Sequence, residues 1–329
     1  MESNKLVGIV AGFSGKRILV VGDTMLDQYV FGAVERLNPE APVPVLHARK
    51  EEEQTGGAGN VAKNSAMLGA TSTLVSVIGT DASADAITSV ATAEGYAIKS
   101  VRDESRPTIR KVRYLVRSQQ LLRVDFEETH DISGAVEEEL LQLIRTMFAD
   151  GVDGVIVSDY AKGVVTERVA QELLALSVEH NVPLAADVKP SRVKFFKGAT
   201  FMSPNLKEGH EFVGLSHLEQ KQDWGALAKK LSEEFSTDIY LTLGADGVYV
   251  ATEDGTAEHV AQEHTAEVFD VSGAGDTFIT SVLLSLLCGA TPVEAGKIGN
   301  AAGSVVVQKV GSVGLSATEL IGVLSHEHA

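Results

Sequence analysis

Short, wholly apolar runs that end on Gly, Asp or Asn recur along this chain, separated by stretches of helical length. RILVVGD (17–23), STLVSVIG (72–79), DGVIVSD (153–159), VPLAAD (182–187), ATFMSPN (199–205) and DIYLTLG (238–244) are such runs. A strand that is apolar on both faces must be covered on both, the condition of a parallel sheet flanked by helices. A first helix is expected across 6–13. Further helices are expected over 59–69, 82–94, 166–180 with Thr166 as N-cap, 273–288, 292–309 and 317–326. Strands alternating with helices predict βαβ units and an α/β fold. Two segments break the rhythm. Residues 28–53 alternate in character and carry prolines, and residues 108–128 alternate apolar with charged. Both read as half-exposed strands. The expectation is one domain over 1–329, with lid strands inserted at about 28–53 and 98–128 that close over a ligand or pair with a second copy.

The net charge of −17, from 45 acidic and 28 basic residues, excludes a broad nucleic-acid or anionic-membrane surface. No run of 18 apolar residues predicts a spanning helix. The single cysteine, Cys288 in SVLLSLLCGA, has no intrachain disulfide partner and reads as a small buried hydrophobe. A reducing cytoplasm fits that usage. The nine histidines are scattered without zinc spacing, and His326 and His328 read as solvated.

Thirty-one glycines leave room for backbone to approach a ligand, and two glycine clusters precede helices. In VFDVSGAGDTF (268–278), Asp270 closes a short β-like segment, and Gly273-Ala274-Gly275 lead into an apolar helix at Asp276. A helix start offers unpaired N–H groups and a positive dipole end, to which glycines admit an anion. A carboxylate there makes sense as a general base for a hydroxyl that attacks a phosphoryl group. The alternative is an ordinary first-turn aspartate beside a turn. In QTGGAGNVAKN (54–64), Gly56 and Gly57 form a turn and Asn60 can hydrogen-bond a polyol. The spacing is wrong for a dinucleotide fingerprint, and a plain turn with an N-cap is the alternative.

SPNLKEGHEF (203–212) holds Asn205 and Glu208 at capping-box spacing. The same pair could instead face phosphates through metal-bound water, since Mg²⁺ keeps several waters. In GDTMLDQY (22–29), Asp23 and Asp27 follow the first strand, where α/β sheets bind ligands, and Asp27 could bind two sugar hydroxyls. TLGADGVYV (242–250) reads as a hairpin. Arg106, Arg110, Lys111, Arg113, Arg117 and Arg123 crowd one stretch, where Lys111, Arg113 and Arg117 share a strand face by parity. They form either a solvated face or a pocket for a substrate phosphate. Lys189 in ADVKPSR is a similar candidate.

Together GGAGN (56–60), NLKE (205–208) and DVSGAGDTF (270–278), in this order, resemble the signatures of the ribokinase-like (PfkB) carbohydrate kinases. The resemblance runs from about Arg17 to Ser316. Within the family, GDTMLDQYVFG, RLNPEAPVPVL, RSQQLLRVDFEE and SDYAKG are similar to the bacterial D-glycero-D-manno-heptose 7-phosphate kinases. The resemblance implies a three-layer α/β/α sandwich with a small β-sheet lid. It also implies ATP and Mg²⁺ as cofactors, and phosphorylation of the anomeric hydroxyl to a 1,7-bisphosphate for ADP-heptose synthesis. Asp276 would be the base and Gly273-Ala274-Gly275 the anion hole. Asn205, Leu206, Lys207 and Glu208, with Gly244, Gly247 and Asn300, would form the nucleotide side, Glu208 reaching metal through water. Asp27, Gly56, Gly57, Asn60, Arg113 and Lys189 would hold the sugar phosphate. Val188 and Ser191-Arg192 depart from the family's usual residues around that lysine. A cytoplasmic homodimer through the lid is expected, with no nucleic-acid or membrane partner. The chain leaves no room after the kinase for a nucleotidyltransferase, so a separate adenylyltransferase is expected. The alternatives are a kinase for another sugar, such as fructose phosphate, ribose or a nucleoside, and a silent sugar- or nucleotide-binding regulator.

Overall fold

In the computed structural model, which describes residues 2–117, 119–215, 223–263, 268–309, 311 and 313–325, the apolar runs become neighbouring strands. In chain order the elements are α1 (Glu2–Ala11), β1 (Arg17–Gly22), β2 (Thr24–Leu37), β3 (Pro44–Gly57), α2 (Ala58–Met67), β4 (Thr71–Ile78), α3 (Ala82–Ala93), β5 (Ala97–Arg102), β6 (Arg110–Val116), β7 (Gln119–Phe126), α4 (Gly134–Asp150), β8 (Gly154–Asp159), α5 (Glu167–His180), β9 (Leu184–Val188), β10 (Phe201–Met202), α6 (Leu206–Phe212), α7 (Trp224–Phe235), β11 (Asp238–Thr242), β12 (Val248–Ala251), β13 (Ala257–Val260), α8 (Ala274–Leu287), α9 (Pro292–Val306) and α10 (Ala317–Ser325). His326 and His328 lie outside the described residues.

Nine strands form the main sheet in the order β13-β12-β11-β10-β9-β8-β1-β4-β5. The pairs from β5 across to β11 are parallel, and β12 and β13 add an antiparallel edge. Side chains alternate across β1 with a period of two. Leu19 and Val21 join one apolar cluster with α4, α5 and α7, while Ile18 and Val20 join a second with α1, α2, α8, α9 and α10. Those two clusters are the two outer interfaces of a three-layer sandwich. Helix α8 is buried from Asp276 to Ser285 and runs through the second cluster, with Ile279, Val282, Leu283 and Leu284 fully buried. Each such side chain contributes about 1.5–3 kcal/mol, so the helix that carries Asp276 is firmly held.

From β1 the chain turns to β4 on one side, and it later returns to place β8 on the other. The order therefore reverses between β1 and β8, the switch point beyond which ligands bind at the carboxyl ends of such sheets. A second sheet, β3-β2-β6-β7, stands over that end. Strands β2 and β3 pair antiparallel from Thr24↔Gly57 to Leu37↔Pro44, with irregularities after Phe31 and Val34.

Two boundaries of the expected lid need correction. The first lid pair runs over 24–57, not 28–53, because its base grows directly out of β1 and into α2. The second occupies 110–126, not 98–128, because β5 pairs with β4 in the main sheet. As an edge strand covered on one face, β5 shows the half-buried alternation that a lid strand also shows.

Candidate active site

The chain brings Asp276 and Asn60 together from 216 residues apart. Gly273, in the left-handed region at φ 78°, caps α8, so Asp276 falls in its first turn. Asp276 is buried, and Asn60 Nδ2 donates to its Oδ2 at 2.6 Å. The Tyr160 hydroxyl faces Oδ1 at 3.4 Å. Burial pushes the Asp276 carboxyl up to about 6, against the opposing pull of the Asn60 and Tyr160 hydrogen bonds and of Lys189 and Lys63. A carboxylate near that value is poised to accept a proton close to neutral pH. The charge of Asp276, and then burial, hold the Tyr160 phenol well above its ordinary value, so it stays a donor.

Asp276 and Tyr160 stand where two cavities meet. The smaller, about 170 Å³, is lined by Asp187, Lys189, Asn205, Glu208, Gly273 and Gly275 among others. A Cβ on Gly275 would meet nothing within 4 Å, so its backbone is open to a bound group. Ala274 N–H turns back to Val271 O at 3.3 Å, whereas the N–H groups of Gly275 and Asp276 find no acceptor among the described residues. The unpaired N–H groups at this helix start are therefore those of Gly275 and Asp276, while that of Ala274 is taken up by the turn. Asp187 is pushed up to about 7 by burial and by Asp276, with Lys189 opposing. Lys189 Nζ bonds Glu208 Oε1 at 2.7 Å and lies 5.4 Å from the Tyr160 ring centroid.

Asn205 and Glu208 also form a capping box, with Glu208 N–H donating to Asn205 Oδ1 at 2.9 Å and Asn205 N–H to Glu208 Oε2 at 3.2 Å. The capping-box reading holds, and both residues also line the smaller cavity, because N-cap and third helical residue share the face turned to it. The residues between them do not. Leu206 packs on the core and Lys207 reaches outward to Glu211, which corrects their expected place on the nucleotide side. Gly244, Gly247 and Asn300 do not line either cavity. Gly247 and Asn300 gather instead around the end of β13. A Cβ on Gly247 would meet Val260 O at 2.2 Å, and Asn300 Nδ2 donates to that same oxygen at 3.0 Å.

The larger cavity, about 1100 Å³, lies between the lid and the sheet. Asp27, Gly56, Gly57, Asn60 and Arg113 all line it. Asp27 accepts from Arg113 Nη1, and a Cβ on Gly56 would sit 2.2 Å from Asp27 Oδ2, so a larger residue there would displace the Asp27 carboxylate. Gly57, at φ 59°, starts α2 and so sets the place of Asn60. Asn60 Oδ1 is buried without a hydrogen-bond partner. Lys111, Arg113 and Arg123 line one wall. Arg123 pairs with Arg113 across β6 and β7, so it joins their face because the chain turns; Arg117 sits at the turn, at φ 55°, and leaves the shared face. Each base keeps a carboxylate partner, Lys111 and Arg123 sharing Asp125. Lys189 lies away from this wall, in the smaller cavity. Asp270, expected to close a strand, lies instead in a strandless stretch, where it accepts from Ser272 and Gly311 N–H and steadies the approach to α8.

The sequence reading passed over Tyr160 and Asp187 although it quoted both segments. Both follow or end a buried strand at the carboxyl edge of the sheet, which is the signal that finds them.

A doubly covered sheet with a β lid over the carboxyl ends, and a buried carboxylate at a glycine-led helix start, define a ribokinase-like fold. The solved structures agree. Phosphofructokinase-2 from Escherichia coli in complex with potassium superposes with a TM-score of 0.77 at 17% identity, covering 96% of this chain and all of that one. Arabidopsis thaliana ribokinase complexed with ribose and ATP gives 0.71 at 19%, covering 94% and 99%. The model of the pfkB family of carbohydrate kinases matches residues 16–318, and the chain belongs to that family. It is 39% identical to the D-beta-D-heptose 7-phosphate kinase of Bordetella bronchiseptica over 312 residues, 93% of this chain and 95% of that protein. It is also 40% identical over 320 residues to the bifunctional protein HldE of Mesorhizobium japonicum. That match takes in 97% of this chain but 64% of the relative's length.

Proposed function

We propose that this protein transfers the γ-phosphoryl group of ATP to the anomeric hydroxyl of D-glycero-D-manno-heptose 7-phosphate. The observation that carries the reading is Asp276 at the junction of the two cavities, held by Asn60 from the glycine turn. A sugar in the larger cavity presents a hydroxyl to Asp276, which takes its proton. A phosphoryl group in the smaller cavity meets the Gly275 and Asp276 N–H groups, which stabilise charge as it develops. Asp27 and Asn60 hold sugar hydroxyls. The basic wall of Lys111, Arg113 and Arg123 takes the distant phosphate of the substrate, exchanging part of its carboxylate pairing for it. The heptose kinase from Bordetella bronchiseptica, similar over 93% of this chain, supports this choice of sugar.

Asn205, Glu208 and Asp187 supply oxygen donors to the smaller cavity. Among the described residues no three carboxylate, histidine or cysteine ligands converge on one point. That donor set fits Mg²⁺, which keeps most of its waters and is held by few protein ligands. When bound, the ion would neutralise charge on the ATP phosphates. No helix among the described residues is long and apolar enough to cross a membrane, and we place the reaction in the cytoplasm, in a homodimer joined through the lid.

The test is ATP consumption across a panel of heptose 7-phosphate, fructose phosphates, ribose and nucleosides. Heptose 7-phosphate should give the highest kcat/KM. Preference for another sugar would overturn the substrate, and ligand binding without turnover of any would overturn the enzyme.

A further inference from the structure

Asp23 follows β1 and Asp159 ends β8, the two strands that flank the switch point, and both are buried, at 0% and 1% exposure. Neither touches a cavity, yet Asp23 ties together three parts of the site. Its carboxylate accepts three backbone N–H groups of the loop after β8. Tyr160 and Lys162 donate to Oδ2 at 2.9 and 3.0 Å, and Val164 donates to Oδ1 at 3.1 Å. Its backbone oxygen accepts Ala58 N–H at 3.0 Å, at the start of the helix that carries Asn60. Asn60 and Tyr160 are the two groups that touch Asp276. The loop doubles back sharply, with Ala161 at φ 55° and Gly163 at φ 95°, so its amides face inward and need an acceptor.

Asp159 stands beside Asp23. Its Oδ1 accepts Ala161 N–H at 2.7 Å, and its Oδ2 is buried without a hydrogen-bond partner. The cation in reach is Arg192, whose Nε lies 3.9 Å from that oxygen. Arg192 spends its other nitrogens on Val165 O and on Asp131. Arg106 is paired with Asp103 and donates to Lys162 O, and Lys162 Nζ reaches away to Glu127. Two adjacent buried carboxyl groups without a dedicated cation cannot both be charged at low cost. An orphan carboxyl oxygen that carries a proton donated to its neighbour ceases to be an orphan.

We infer that Asp23 and Asp159 work as a carboxylate–carboxylic acid pair: protonated Asp159 donates to Asp23, and Asp23 positions Tyr160 and Asn60 against Asp276. Neither is a catalytic residue. The inference rests on reading Asp276 as the base. Burial, and for Asp159 the charge of Asp23, raise both carboxyl groups above the ordinary range, in keeping with one retained proton.

The test compares Asp23→Asn and Asp159→Asn with the wild-type chain, on whichever sugar phosphate the wild type turns over. Asparagine at 159 remains a neutral donor to Asp23 and still accepts from Ala161, so kcat should stay within about threefold, since the exchange keeps both hydrogen bonds. Asparagine at 23 offers one acceptor oxygen where three N–H groups converge, so the loop must shift. Its kcat should fall by about 10²-fold with the KM for ATP unchanged, the effect of a misplaced catalytic neighbour. A merely structural role would lower the melting midpoint but leave kcat of the folded protein alone. Equal kcat in the two variants would overturn the pair. A second readout needs no substrate. The folded state holds a proton that the unfolded chain releases, so the melting midpoint of the wild type should fall from about pH 5.5 to pH 8.5 more steeply than that of Asp159→Asn. Parallel profiles would overturn the shared proton, even if Asp23→Asn does not fold. Absence of turnover by the wild type itself would instead count against the proposed function.

Discussion

Replacing Asn60 with leucine should move the acid limb of kcat toward alkaline pH. Asn60 Nδ2 donates to Asp276 Oδ2 at 2.6 Å between two buried side chains, a bond that favours the ionised carboxylate. Such charge-assisted bonds contribute about 1.5–3 kcal/mol. At about 1.4 kcal/mol per pH unit, their loss raises the carboxyl by roughly one to two units. From about 6, the limb moves to roughly 7–8. A base works only when ionised. At pH 6 the ionised fraction falls from about one half to between roughly 1% and 10%, so kcat drops about fivefold to fiftyfold there and recovers by about pH 9. The sign follows from the geometry: removing a donor to the charged form favours the proton. The assay is kcat at saturating ATP and sugar phosphate across pH 5–9.5. It must be kcat, because Asn60 also lines the larger cavity, proposed above to hold the sugar, and the KM for sugar should rise. A uniform loss at every pH, with the limb in place, would refute the reasoning.

Asp276→Asn should keep the fold and ATP affinity, measured by calorimetry, while kcat falls by about 10²–10⁴-fold, the usual contribution of a general base. Turnover near that of the wild type would remove Asp276 from the mechanism. Gly56→Ala places a Cβ 2.2 Å from Asp27 Oδ2. Overpacking of about 1–3 kcal/mol should raise the KM for the sugar phosphate by roughly fivefold to a hundredfold and leave the KM for ATP unchanged, and equal shifts in both would contradict the division into two cavities.

The sheet was legible because burial on both faces leaves an unbroken apolar run in a strand, residues 18–21 in β1 and 155–157 in β8. The helix starts were legible where the cap is local chemistry: Thr166 Oγ1 accepts from Val169 N–H at 3.1 Å as its spacing predicts. Pairing partners were not, since a half-exposed strand does not announce which sheet it joins, and β5, inside the expected lid bounds, pairs with β4 in the main sheet. At the site, glycine clusters marked Asp276 and Asn60, but their contact depends on a fold that closes 216 residues. Tyr160 and Asp187 belong to no short pattern; they matter through their place at strand ends. Leu206 and Lys207 show the opposite error, in which a contiguous motif was credited to one function although helical rotation points its middle away.

The central place of β1 also bears on how the chain can be made. One edge of β1 pairs with β4, synthesised soon after it, but the other waits for β8. The roughly 75 residues between Ile78 and Gly154 take on the order of 4–15 s to appear at about 5–20 residues per second. During that interval β1 presents an edge of unpaired backbone N–H and C=O groups between apolar side chains, the kind of template that recruits foreign strands. The second lid pair, β6 and β7, and α4 emerge within the same interval. The nascent chain is therefore at greatest risk of misassociation midway through synthesis, and the arrival of β8 closes that exposure well before Asp276 and the smaller cavity are made.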